Sequence, residues 1–152
     1  MRNLVLFFVT LLVCGGCAER LQTRSCSNGR PHPSYVVISG CSQMPCLLPR
    51  NTNVTVTMVY EAPYAAESLT FKQIVTALGV TIPVELSPER ANACDRMLGT
   101  SCPLRPHEVV ITTHTIIVMP IYPVVTMFVE FSAVDEQERT HICFIFDVQI
   151  VP

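Results

Sequence analysis

The feature that most limits what this chain can become is the placement of its cysteines. Cys14 and Cys17 lie in the first eighteen residues, and Cys26, Cys41, Cys46, Cys94, Cys102 and Cys143 lie beyond them. The leading stretch has Arg2, a short apolar run from Leu4 to Val13 containing one Thr, and the small residues of Gly16-Cys17-Ala18. That order predicts a secretory signal peptide over residues 1–18, cleaved after Ala18. The run is shorter than the roughly twenty apolar residues a spanning helix needs. Removal of the leader leaves residues 19–152 with an even set of six cysteines. In an oxidising compartment such a set reads as a disulfide framework. Cys41 with Cys46 and Cys94 with Cys102 are close enough in sequence for local bridges, which would leave Cys26 and Cys143 to join the two ends. Spacing by itself does not choose among the pairing schemes open to six cysteines.

A mature chain of this length forms one domain that buries roughly two thirds of the surface its unfolded form exposes. Hydrophobic residues make up 49% of the sequence and charged ones 14%, which supplies a core and excludes a disordered chain. Without the leader, nine basic residues face twelve acidic ones. That balance gives no electrostatic basis for binding nucleic acid.

Hydrophobic periodicity selects β structure. Val54, Val56, Met58 and Tyr60 alternate with Asn53, Thr55, Thr57 and Val59, the period of a strand with one buried face. At the C-terminus Ile142, Phe144, Phe146, Val148 and Ile150 share one face, and Cys143, Asp147 and Gln149 the other, with Ile145 expected to be partly covered. Further strands are predicted over 35–39, 69–78, 109–118 and 124–133, rich in β-branched and aromatic residues. Prolines fall between most of them, where a ladder must stop. Several short strands separated by turns predict an all-β sandwich, with no helix beyond one or two turns. The apolar stretch 116–129 is interrupted by Pro120 and Pro123 and reads as strand, bend and strand rather than a membrane span.

No catalytic pattern emerges. His107-Glu108 begins a metalloprotease helix motif, but Ile111 stands where the second His is required. No G-x-S-x-G elbow is present. His32, His107, His114 and His141 read as surface or strand residues, and the scattered Asp and Glu as solvated charges. The cysteine and histidine spacing does not match a structural zinc site. The chain is therefore expected not to be an enzyme and to need no metal or cofactor. Asn53-Val54-Thr55 is a glycosylation sequon. An excess of apolar strand residues remains, including Phe71, Val75, Ile82, Val84, Val118, Tyr122, Met127, Val129, Phe144 and Phe146. They would fill a tight core or, with the sheets slightly apart, line an apolar ligand cavity.

The ordered neighbours of the cysteines carry a resemblance. They are Cys26-Ser27-Asn28-Gly29, Pro45-Cys46-Leu47-Leu48-Pro49-Arg50, Val80-Thr81-Ile82-Pro83-Val84, Asn92-Ala93-Cys94, Ser101-Cys102-Pro103-Leu104, Ile121-Tyr122-Pro123, Val129-Glu130-Phe131 and Ile142-Cys143 through Val151. Together they resemble the lipid-recognition (ML-domain) family, in its Niemann-Pick type C protein 2 branch, over essentially all of residues 19–152.

The resemblance implies an immunoglobulin-like β-sandwich of two antiparallel sheets. It implies the disulfides Cys26–Cys143, Cys41–Cys46 and Cys94–Cys102, and a sterol, fatty acid or other apolar lipid held between the sheets. Ile82, Val84, Val118 and Tyr122 are its implied pocket residues, to which Phe71, Val129 and Phe144 are added as inward-facing contacts. Hand-over to a membrane or receptor protein is implied, in the extracellular space or the lysosomal lumen. Immune recognition of microbial lipid is the family's alternative use, and an extracellular interaction module with a filled core is the alternative outside it. The chain departs from the family pattern at Val84, where sterol carriers often have an aromatic residue, and at Asn51, Phe131 and Asp147. The smaller Val84 is expected to reshape the pocket. A ligand's polar end is expected at the mouth, because burying an unpaired hydroxyl costs about 1 to 3 kcal/mol.

Overall fold

The structure is a computed structural model and describes residues 20–152. The expected signal peptide over residues 1–18, with its cleavage point after Ala18, lies outside the described residues. Among the described residues nine strands form two sheets. The larger contains β1 (Arg24–Ser25), β3 (Cys46–Pro49), β5 (Leu69–Ala77), β6 (Val80–Val84), β8 (Thr126–Asp135) and β9 (Thr140–Val151). Its order is β1-β9-β8-β5-β6, with β3 also on β9. The smaller is β2-β4-β7, from Tyr35–Ile38, Thr52–Glu61 and Val109–Val118. All pairings are antiparallel except that of β3 with β9. One short helix, α1 (Pro88–Ala91), and a 3-10 turn at Cys94–Arg96 lie between β6 and β7.

The predicted alternation appears as burial. Val54, Val56, Met58 and Tyr60 of β4 are buried, and so are Ile142, Phe144, Phe146, Val148 and Ile150 of β9, while Ile145 is half-buried. Strands β1, β3 and β6 were not predicted. β3 is too short to show a period and is held by β9 from far along the chain, in the register Cys46–Val148 to Pro49–Val151. β6 returns from β5 through Leu78 and Gly79, both at positive φ (52° and 78°), a backbone that suits a two-residue hairpin and costs least at glycine. Pro83 is tolerated in β6 because the strand is an edge with no further neighbour to hydrogen-bond.

Disulfides join Cys26 to Cys143, Cys41 to Cys46, and Cys94 to Cys102. The first ties β9 to the segment following β1. The others each close a single loop.

The carboxylates are not all solvated. Asp135, at the end of β8, is 3% exposed. Its Oδ1 accepts hydrogen bonds from the backbone N–H groups of Gln137 and Arg139, both at 2.9 Å. Its Oδ2 accepts from Arg139 Nε at 2.8 Å and lies 3.2 Å from Nε2 of the fully buried His141. Burial opposes the charge, but the hydrogen bonds from Arg139, His141 and Gln137 prevail and hold this carboxyl below its usual range. The cluster fixes the β8–β9 turn. Replacing Asp135 with Ala strands these donors, and is expected to lower the unfolding free energy by about 3 kcal/mol or more, measured by urea denaturation. In the parent protein the contribution should be complete above the unfolded carboxyl range and fade as pH falls through the lower folded value.

Candidate functional site

The inner faces of the two sheets change character along their length. At one end the rings are packed closely. Phe71 and Phe131 have centroids 5.0 Å apart, Phe131 and Phe144 5.8 Å, and Phe144 and Phe146 5.8 Å. His114 of β7 closes this group from the opposite sheet, 5.2 Å from Phe71 and 4.9 Å from Phe131. Toward the other end the inward positions shorten. Along β5 the row Leu69, Phe71, Gln73 continues as Val75 and Ala77, and along β8 Phe131 gives way to Val129 and Met127. Smaller side chains at these inward positions leave space between the sheets.

That space is a cavity of about 530 Å³. β5 contributes Gln73, Val75 and Ala77, and β6 contributes Val80, Ile82 and Val84. From the facing sheet come Ile116, Ile117 and Val118 of β7, with Met119, Tyr122, Pro123 and Val125 following in the loop. Met127, Val129, Val148, Ile150 and Leu48 complete the apolar wall, and Glu85 and Arg90 border it. The lining is most exposed where β6 and β7, each an edge strand of its own sheet, contribute to it, and this marks the mouth. Val80 and Ile82 are 57% and 58% exposed there, and Ile117 and Met119 are each 43% exposed.

Five of the seven residues expected to contact a ligand line this cavity: Ile82, Val84, Val118, Tyr122 and Val129. Phe71 and Phe144 lie outside the lining. They face inward as the strand period requires, but at the level of the closely packed rings, where no space remains. Sequence reasoning missed Gln73 and Arg90. A signal for Gln73 was available, since it is the one amide in the inward row of β5. Asn53 is exposed on β4, so its side chain is accessible for modification. Among the described residues the one close group of potential metal donors is Cys26, Glu130 and Cys143. Both sulfurs are already joined to each other, so the group offers no thiolate.

His32 and His107 are exposed, whereas His114 and His141 are buried. Burial, reinforced by the nearby charges of Arg90 and Arg96, pushes the His114 imidazole down to about 4. It is neutral at ordinary pH, and its Nε2 has no partner.

A two-sheet sandwich with close-packed rings at one end and an apolar cavity at the other is an internal-cavity binding fold. The family model of the ML domain matches residues 20–150, and the chain belongs to that family. It is 27% identical over 135 residues to NPC intracellular cholesterol transporter 2 of Danio rerio, covering 89% of this chain and 88% of the relative. Among solved structures it is similar to a Niemann-Pick type C2 protein from Japanese carpenter ant, with a TM-score of 0.75 and 21% identity over 86% of this chain and 99% of that one. It is also similar to chicken MD-1 complexed with lipid IVa, with a TM-score of 0.54 and 15% identity over 84% and 86% of the two chains. At these identities the structural likenesses establish a shared fold.

The His114 environment predicts a pH dependence of stability. The unfolded imidazole, with an ordinary value of 6.5, takes up a proton before the folded one does. Stability should therefore fall as pH drops from about 6.5 to about 4, by up to about 3 kcal/mol. Urea denaturation across that range should show this slope in the parent protein and a flatter one in His114→Leu.

Proposed function

We propose that this chain is a secreted carrier that binds a sterol, fatty acid or other apolar lipid between its two sheets and releases it unchanged. The observation that carries the proposal is the apolar cavity of about 530 Å³ lined from both sheets, a size within the usual range for small-molecule sites. Ile82, Val84, Val118, Tyr122 and Val129 are its proposed contacts, acting by shape and apolar burial without covalent chemistry. Each methylene transferred from water contributes about 0.8 kcal/mol, so a lipid tail supplies enough for micromolar or tighter binding. The relative's name, a cholesterol transporter, supports a sterol or sterol-like cargo. Val84 and the neighbouring short side chains suit a broader range of hydrocarbons, because an apolar wall discriminates weakly among them.

In the proposed life of the protein, residues 1–18 are removed and 19–152 fold as one ML domain. The three disulfides fit an oxidising compartment, extracellular or lysosomal. Among the described residues no helix is long and apolar enough to cross a membrane. The exposed apolar rim formed by Val80, Ile82, Ile117 and Met119 is the proposed place of hand-over to a membrane or receptor protein.

Mass spectrometry of organic extracts from purified protein should recover a co-purifying lipid, and stripped protein should bind a fluorescent sterol or fatty-acid probe. Absence of both would sink the carrier proposal. Val118→Phe and, separately, Val75→Phe fill the cavity from opposite sheets. Each is expected to weaken probe binding at least about tenfold, with the far-ultraviolet circular dichroism spectrum retained. Asn53 is the proposed glycan site. Secreted material from a eukaryotic host should lose mass on treatment with an N-glycosidase, and Asn53→Gln should abolish that loss.

A further inference from the structure

At the inner end of the cavity the apolar wall is interrupted by polar atoms that have no partner. Gln73 is 8% exposed, and its Oε1 is buried without a hydrogen bond. It stands next to Phe71 in the inward row of β5, where close-packed rings end and free space begins. Arg90, in α1, reaches across the gap between the sheets and donates from Nη2 to the backbone oxygen of Thr115 in β7, at 3.2 Å. Its Nε is buried and unpartnered, and among the described residues it makes no ion pair. The Nε2 of His114, behind Phe71, is also unpartnered.

Buried polar groups are ordinarily satisfied, yet Arg90, although half-exposed as a residue, holds its Nε–H dry beside the cavity without a partner. An orphaned donor and an orphaned amide beside the same cavity, under the positive field of Arg90 and Arg96, call for an acceptor carrying negative charge. Glu85 borders the cavity but is exposed and does not pair with Arg90. The amide of Gln73 presents either its oxygen or its NH2 group after a half-turn, so it can donate to an anion.

We propose that Gln73 and Arg90 form a head-group subsite for the carboxylate of a long-chain acid, which enters the cavity head first and leaves its tail toward the β6–β7 mouth. This rests on the carrier function proposed above and assigns the cargo's charge and orientation. It reverses the expectation that a polar end stays at the mouth. Arg90 Nε–H and a turned Gln73 amide donate to the carboxylate oxygens, while Val75, Ala77, Ile116 and Val118 surround the first part of the chain. A charge-assisted hydrogen bond in such surroundings is stronger than a neutral one.

The test is titration of delipidated protein with oleate, oleyl alcohol and cholesterol near neutral pH. Oleate should bind at least about tenfold more tightly than the alcohol. Arg90→Met should remove most of that preference while leaving alcohol affinity within about twofold, and Gln73→Leu should weaken oleate several-fold. NMR of carboxyl-labelled oleate should show the bound acid titrating below its free value in the parent protein and returning toward that value in Arg90→Met. Equal binding of acid and alcohol, equal losses of both in Arg90→Met, or a bound carboxyl that titrates as in water overturns the subsite. If the alcohol and cholesterol bind while any of these holds, the carrier function stands and only the subsite falls. If none of the three ligands binds, both fall.

Discussion

The contact on which the rest of this molecule depends is the packing of Phe71 and Phe131 of one sheet against His114 of the other. Ring centroids 5.2 and 4.9 Å apart across the interface set the distance between the sheets at that level. Strands are stiff enough to carry much the same spacing onward. Val75, Ala77, Val118 and Val129 do not reach across it, and a cavity follows from their size alone. A void of this volume would be costly in a protein that had no use for it, since cavity linings lose dispersion contacts on one side.

The disulfides respect this division. Cys26–Cys143 secures the central strand β9 to the N-terminal segment, and the other two bridges each stay within a short loop. None links β6 to β7. Those two edges border the mouth, and α1 reaches β7 through the hydrogen bond from Arg90 to the backbone oxygen of Thr115. The buried network around Asp135 secures the β8–β9 turn in the same spirit, with charge held by backbone N–H groups, Arg139 and His141 rather than by a covalent bond.

Long strands with one buried face were legible in the sequence because period-two alternation survives over eight or more residues, as in β4 and β9. β3 and β6 were not, since each owes its existence to a partner: β3 to the distant end of β9, and β6 to the hairpin at Leu78-Gly79. Alternation also tells which way a side chain points but not how far along the sandwich it sits. For this reason Phe71 and Phe144 could not be told apart from Val129, although only the last borders the cavity. The positions on β6, β7 and the following loop came from the family resemblance. Asp135 and His114 look like ordinary polar strand residues until neighbouring elements cover them. The β5 row held a readable anomaly at Gln73, an amide where four apolar residues share its face.

The taper from rings to short aliphatic side chains separates two roles. Residues that hold the sheets together and residues that line the cavity occupy different halves of the same strands. A substitution such as Val84 in place of an aromatic therefore alters the chamber without disturbing the ring stack. Side chains at the hollow end can be exchanged, and the chamber's shape changed, while the ring-packed framework that fixes the fold stays as it is.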